Sequence, residues 1–475
     1  MDTSDVTIMQ EKITDIQNNL VKTCYRWASG KGFDPQEAQK MRRKAVILNH
    51  QHYFDHIPLY RKIAEEHGCH KNSDFQTIKE KMMLSTDIFK SYRQSWLDDS
   101  DYKKMTNWLY SVFHKKTDID TTGINSIDGW IERLEDREIK ISYSSGTSGA
   151  FSFVPRDKED WELSRSANIA YLAPLLSKII TDSRADSNII KTFTKFMPAS
   201  GLLKAAGKKM LPDYDAAFLG FKSGRMGNQA LIEEFAPLFN DHYFLYDIEI
   251  SGSALRCLRC GARTDEERKL IEVLKDKMNG QSTENYLKLI ENIENSTKKG
   301  KKVFIFGAPH QFKELCEFLI TRKRNLDLEE KSFALLGGGW KSFAGQTVSR
   351  DLLVDMICKV LNIKPEMVLE GYSMTETSAL TLRCSYGRFH IPPTIEPLVF
   401  DKGLTPMEGD DLWGAFGFMD ALATSHPGFL ISNDYVHMVS SQCQCGLCGP
   451  AILEIGRLPG SEVKGCGGIM GSFSA

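Results

Sequence analysis

SYSSGTSGAFSFVPRD, residues 142–157, is the stretch on which the reading of the chain turns. Ser142 to Gly149 hold two glycines and five serine or threonine side chains in eight residues. They follow the strand-like Ile139, Lys140, Ile141 and precede the apolar run Phe151 to Val154. A loop of that make-up between two strands turns backbone N–H groups and hydroxyls toward one concave side, as a polyphosphate requires. Ser144, Ser145, Gly146, Thr147, Ser148 and Gly149 are therefore the candidate phosphate ligands. A polar hairpin turn is the competing reading. The loop is not of the Walker type, because G-x-x-x-x-G-K-[ST] does not occur in the sequence.

Outward from that loop the pattern changes. Residues 1 to about 70 space their apolar positions three and four apart, as in IMQEKITDIQNNLVKTCYRWA, which predicts helices. His50, His52, His56 and Tyr60 fall there as potential ligands or as packing residues, and Ser85 in STDIFKSY reads as a helix cap. From about 140 to 400, short apolar strands alternate with amphipathic helices, which predicts an α/β layer structure. Val303–Phe306 and Phe333–Leu336 are strand candidates, each followed at once by glycine. Ligands collect beyond the carboxyl ends of strands in open α/β sheets, so GAPH at 307 and GGGWK at 337 are expected ligand loops. Lys204–Gly227 and Arg256–Arg268 read as surface loops or an insertion.

Composition excludes more than it identifies. With 41% apolar and 26% charged residues and a net charge of −2, nothing points to nucleic acid or an anionic membrane. No apolar run approaches the roughly 18 residues of a membrane span. The acidic start MDTSD lacks the form of a secretion signal, so a cytoplasmic location is expected, with the 11 cysteines as thiols.

Five motifs stand in one order: SSGTSG at 144, GGGWK at 337, EGYSMTET at 370, SNDY at 432 and GRLPGSEVKGCG at 456. That order resembles the adenylate-forming superfamily of acyl and aryl acid ligases, which activate a carboxylate with ATP. The resemblance implies that the 144–149 loop holds phosphates, that Gly338 and Gly339 flank the adenine, and that Thr375 contacts the α-phosphate. It further implies that Glu376 holds Mg²⁺, Asp434 takes ribose hydroxyls and Arg457 marks a hinge. Tyr372 offers a flat face to adenine. Attack on an α-phosphate is catalysed mainly by positioning and charge stabilisation, which suits these donors and a hard carboxylate ligand.

Within the superfamily the chain is most similar to the acyl-protein synthetases of the bioluminescence fatty-acid reductase system (LuxE type), with phenylacetate-CoA ligases as cousins. HQHYFDHIPLYRK, STDIFKS, TSHPGFLISNDY at 424 and the cysteine-rich end carry that likeness. The expected organisation is a helical N-terminal segment at 1–135, an ATP-binding core at 136–455 and a short tail at 456–475. The chain ends 18 residues after Arg457, so the C-terminal domain of CoA-forming relatives, with its lysine, is expected to be missing. The acyl group would then pass to Cys466, beside Lys464, and on to a partner such as a reductase or carrier protein. A phenylacetate-type CoA ligase and a non-catalytic acyl-binding scaffold are the alternatives.

Two further groups remain open. Cys443, Cys445 and Cys448 form C-x-C-x-x-C, which holds a soft metal such as Zn²⁺ if a fourth ligand arrives from Cys466 or the Cys257/Cys260 pair. A turn of reduced thiols is the other reading. His310 and His426 are either substrate contacts or packed neutral residues.

Overall fold

The computed structural model describes residues 3–145, 150–180, 211–224, 226, 229, 232–233, 235–262, 264–280, 282–339 and 347–458. Helices dominate the first 135 residues, chief among them Thr3–Ser29 and Pro35–His56. Asp34 starts the second by accepting from Gln36 and Glu37 N–H, with Pro35 at its first position, where a missing N–H costs nothing. Ser85 caps the short helix Thr86–Lys90 as read from the sequence, its Oγ accepting from Asp87 N–H at 3.2 Å. The two-residue strand β1 (Leu84–Ser85) leads into that cap.

The organising stretch forms an antiparallel hairpin of β2 (Ile139–Ser145) and β3 (Phe151–Asp157), with Ser144 opposite Ser152. The strands run further than the apolar residues alone indicated. Helix Lys158–Ile180 follows directly.

The first large sheet is β4 (Tyr214–Gly224), β5 (His242–Ile250), β6 (Lys302–Gly307), β7 (Phe333–Gly337), β8 (Val368–Tyr372) and β9 (Thr381–Leu382). Its order is β5-β4-β6-β7-β8-β9, parallel throughout except for β9. Central parallel strands are covered on both faces and read as unbroken apolar runs, which VFIF and FALL are. Two expectations fail in this region. Residues 214–224 are a buried central strand and not part of a surface loop, as the run YDAAFLGF requires. Residues 256–268 are mostly two helices, Gly252–Cys260 and Asp265–Lys275, the second opened by a reciprocal Thr264/Glu267 capping box. The charges there pair across the turn, Arg256 with Glu267.

The second large sheet is antiparallel: β10 (Phe389–His390), β14 (Ala451–Arg457), β13 (Phe429–Val439), β12 (Asp411–Asp420) and β11 (Ile395–Phe400), in the order β10-β14-β13-β12-β11. β1 pairs in parallel with β13, so the N-terminal region is tied to this sheet by backbone hydrogen bonds. The α/β architecture with a helical N-terminal segment is thus present. Among the described residues no helix is long and apolar enough to cross a membrane, and the described cysteines are all free.

Candidate active site

The carboxyl ends of β6, β7 and β8 lie side by side. Gly307 is opposite Leu336, and Gly337 opposite Gly371. A Cβ on Gly337 would sit 2.8 Å from the Phe306 ring, so only glycine fits there. Gly338 follows at φ +83°, the left-handed region that favours glycine, and turns the chain outward. Gly339 is partly buried, and residues 340–346 of the GGGWK turn lie outside the described residues.

Tyr372 closes β8, and the structure joins it to two other predicted residues. Its hydroxyl donates to Asp434 Oδ2 at 2.8 Å, while Arg457 Nη1 meets Asp434 Oδ1 at 2.9 Å. Asp434 and Arg457 are direct partners in the β13–β14 register, which brings their side chains to one point. Both carboxylate oxygens are therefore engaged by protein, one of them in an ion pair with Arg457. Each oxygen still has a second lone pair, so the group can accept further hydroxyls. Burial first, then the Asp434 carboxylate, pushes the Tyr372 phenol well above its usual range, so it stays a donor. Phe389 and Phe416 flank its ring, with centroids at 6.2 and 6.3 Å.

Three residues on, the segment Thr375–Leu380 has no regular structure, yet it is held from several sides. Arg156, on the strand leaving the Ser/Thr/Gly loop, donates to the carbonyls of Thr375 and Thr377 at 2.9 and 3.3 Å. Asp420, fully buried, accepts from Ser378 N–H at 2.7 Å, Ser378 Oγ at 2.9 Å and Leu422 N–H at 2.9 Å. Ser164 and Asn168, on helix Lys158–Ile180, donate to the Ser378 carbonyl at 3.0 and 2.9 Å. Thr375 and Glu376 are both partly exposed at the centre of this scaffold.

A second polar hub sits in the turn between β12 and β13, the TSHPGF segment. Asp160 accepts from Thr424 and Ser425 N–H at 3.1 and 2.9 Å. Asp157 accepts from His114 Nε2 at 2.9 Å and Lys115 Nζ at 2.6 Å, and its own N–H donates to Ser425 Oγ at 3.0 Å. Burial opposes ionisation of Asp157, but the His114 hydrogen bond and charge, helped by Lys115, outweigh it and hold the carboxyl well below the usual range. His426 is fully buried; burial, then the Arg156 charge, drive its pKa well down, so the ring is neutral. From the N-terminal helices, Gln17 donates to the carbonyls of Ala421 and Leu422, and Asn49 to those of Ala421 and Ala423.

Other candidates resolve simply. His50 bonds Tyr60 Oη at 2.7 Å and the His70 carbonyl at 2.9 Å, and His52 meets His114 at 2.9 Å, so both are partnered in the interior. His310 is buried at the start of helix Pro309–Thr321, and burial takes its pKa down to about 4. Ser144 lies in β2; the Ser145 side chain and Gly146, Thr147, Ser148 and Gly149 lie outside the described residues, as do Lys464 and Cys466. Of the cysteine motif, Cys443 and Cys445 come together with Cys384 and His390, whereas Cys448 does not join them. Cys257 is buried in helix Gly252–Cys260, and the Cys260 side chain is outside the described set. Among the described residues, the partners of Cys443 and Cys445 are two that a hairpin supplies.

The residues that sequence reasoning missed are Arg156, Asp157, Asp160 and Asp420. A signal existed for two of them: the quoted stretch ends Val-Pro-Arg-Asp, with charges closing an otherwise apolar strand. Buried charge is costly unless paired, so such a pair implies partners brought by the fold.

Comparison with known proteins agrees with the motif order. Residues 273–473 match the acyl-protein synthetase, LuxE, family. That match covers less than half of the chain and is to the family that the motifs resemble. Two curated relatives are long-chain-fatty-acid–luciferin-component ligases. That of Vibrio harveyi is 24% identical over 179 residues, 37% of this chain and 47% of its own. That of Aliivibrio fischeri is 22% identical over 194 residues, 40% of this chain and 49% of its own. The chain spans about half the length of the curated relatives it matches. Among solved structures, a 2-hydroxyisobutyryl-CoA ligase in complex with 2-HIB-AMP and CoA aligns over 88% of this chain and 69% of that one, at TM-score 0.48 and 14% identity. A long-chain-fatty-acid-CoA ligase from Archaeoglobus fulgidus aligns over 67% and 51%, at TM-score 0.36 and 14% identity.

Proposed function

We propose that this chain activates a carboxylic acid, most simply a fatty acid, with ATP and passes the acyl group to a thiol. A carboxylate oxygen attacks the α-phosphorus, the bond to the β-phosphate breaks, and pyrophosphate leaves with the electron pair. A thiolate then attacks the acyl carbon, and AMP departs.

One observation carries this reading: Arg156, at the end of the Ser/Thr/Gly hairpin, is hydrogen bonded to the Thr375 carbonyl across 219 residues of sequence. A phosphate-binding loop and a phosphate- and metal-binding turn must share one ligand, and this bond couples the strand of the first to the backbone of the second. Ser144–Gly149 serve as the phosphate cradle, with Thr375 as a donor to the α-phosphate. Gly338, Gly339 and the Tyr372 ring border the adenine. Asp434 accepts from the ribose while Arg457 and the Tyr372 hydroxyl fix its orientation.

Glu376 fits a Mg²⁺ ion, being a hard oxygen donor, partly exposed, on a segment anchored through its neighbours. Such an ion would neutralise charge on the phosphate oxygens. In this reading residues 1–135 form a helical segment, 136–455 the nucleotide-binding core and 456–475 a tail. Cys466 in that tail accepts the acyl group, Lys464 favours its thiolate, and a reductase or carrier protein receives the product.

The test is ATP-dependent hydroxamate formation over a panel of fatty, aryl and amino acids, with and without CoA. Mass-spectrometric mapping of hydroxylamine-labile acylation accompanies it. Adenylation of a fatty acid with label on Cys466, lost in Cys466→Ser, is the expected result. Dependence on CoA with an aryl acid would replace it with the CoA-ligase reading, and no adenylation with any acid would leave only a binding scaffold.

A further inference from the structure

We propose that Cys384, His390, Cys443 and Cys445 form a structural zinc site, independent of the reaction above. Their ligand atoms all lie within 4.8 Å of one another. Cys384 Sγ is 3.8 Å from Cys443 Sγ, and Cys445 Sγ is 3.2 Å from His390 Nε2. A tetrahedral zinc with Zn–S near 2.3 Å and Zn–N near 2.0 Å has S···S edges of about 3.8 Å and S···N edges of about 3.5 Å. These two contacts are close to such edges, and the remaining separations stay within 4.8 Å, a set that a metal would draw together. It is far from the roughly 2.05 Å of a disulfide, and all three sulfurs are free thiols.

The surrounding chain is built as two ligand-bearing turns. In one, Cys384 N–H donates to the Arg388 carbonyl and Gly387 N–H to the Cys384 carbonyl, both at 2.9 Å, with Gly387 at φ +78°. This closes the hairpin between β9 and β10 and presents Cys384 and His390 from its two ends. In the other, Gly446 N–H donates to the Cys443 carbonyl at 3.1 Å, with Gly446 at φ +83°. That turn aims Cys443 and Cys445 at the hairpin. Cys443 is 3% and His390 2% exposed, while Cys384 and Cys445 are partly exposed, and four protein donors fill a tetrahedral shell with no open position for a substrate. Three thiolates and a neutral imidazole around Zn²⁺ leave one net negative charge. Arg388, in the hairpin between Cys384 and His390, hydrogen bonds Ser441 at 2.7 and 3.1 Å and so brings a positive charge to the second turn.

The position explains the need. The connection between β13 and β14, SSQCQCGLCGP at 440–450, contributes little apolar surface beyond Leu447, and short segments lacking a core are commonly fixed by a metal. Its carbonyl at Cys448 accepts from Trp27 Nε1 at 2.7 Å, so the first helix is moored to the same turn. The hairpin it would be stapled to carries Thr381, which bonds the Tyr372 carbonyl at 2.9 Å. Binding displaces the three thiol protons into solvent as the Zn–S bonds form, with no change of oxidation state.

The full chain, purified under reducing conditions without chelator, is analysed for metal by mass spectrometry and, after zinc loading, by X-ray absorption at the zinc edge. The expected result is about one zinc per chain with three sulfur and one nitrogen neighbours. Cys384→Ser and Cys443→Ser should each lose that equivalent, while Cys448→Ser keeps it. A parent protein that stays metal-free when titrated with zinc, or a shell of oxygen ligands, would overturn the site without recourse to any variant. So would full zinc occupancy in both Cys384→Ser and Cys443→Ser.

Discussion

The parallel sheet and the junction around the β12–β13 turn are both buried, but they are held together by different forces. Around β6 the interior is Ile305, Phe304, Phe306, Phe312 and Phe333, an apolar packing with little to satisfy beyond the strand ladder. At the junction the buried groups are Asp157, Asp160, Asp420, Ser425 and His426, and each of the three carboxylates accepts from specific backbone N–H groups. Apolar burial is non-directional and tolerates change of shape. A buried carboxylate fixes its partners, since leaving them unpaired is costly. The partly exposed site segment Thr375–Glu376 is anchored to the second kind of interior, which locates its backbone to within a hydrogen bond's tolerance.

The largest effect separates chemistry from that scaffold. Glu376→Gln should slow pyrophosphate release roughly a thousandfold, about 4 kcal/mol of barrier, because a metal contributes several kcal/mol at such a position. Its thermal midpoint should match the parent's. A variant that unfolds earlier would show Glu376 to be part of the polar interior and not of the reaction.

Next, Asp420→Ala should cost roughly 3 kcal/mol in denaturant unfolding, since it strands the N–H groups of Ser378 and Leu422 in a dry interior. It should lower activity as well, through Thr375 and Glu376. Unchanged stability would mean that the junction packs as the apolar sheet does.

Asp157 gives the comparison a pH axis. Its folded carboxyl titrates below the ordinary 3.8, so between the two values the unfolded chain binds more protons. The stability it supplies is whole above the ordinary carboxylate range and drains as pH falls below about 4. Asp157→Asn should lose about 2 kcal/mol at neutral pH and show a flatter acid limb than the parent in unfolding measured at several pH values. Parallel acid limbs would exclude the His114 and Lys115 pairing as the cause.

The smallest effect is the control. Ile305→Val, in the middle of β6 and fully buried, should cost about 1 kcal/mol at every pH, the usual loss of one methylene from a core. A pH-dependent loss there would dissolve the distinction between the two interiors.

The sequence by itself determined the parallel strands, because a strand covered on both faces must be continuously apolar, and VFIF and FALL are. It also marked the carboxyl-end loops through Gly337 and Gly338, where a Cβ or a negative φ does not fit. The order of the five motifs carried the resemblance to acyl-protein synthetases, and the match at 273–473 is to that family. The strand at 214–224 was misread because the charges and glycines around it outweighed YDAAFLGF, and the helices at 252–275 because charged residues that cap and pair look like loop residues in one dimension. Only the tertiary structure decided which groups meet. Asp434 was legible from the SNDY motif, but its place in the middle of β13 and its union with Arg457 and Tyr372 depend on the β13–β14 register. Cys443 and Cys445 read either as soft-metal ligands or as a turn of thiols, and Cys384 and His390, which join them, lie more than fifty residues earlier, a distance that only the fold closes. Short-range pattern encodes burial and backbone conformation; the partner of a buried polar group is set by where the chain returns, and that is a property of the whole fold.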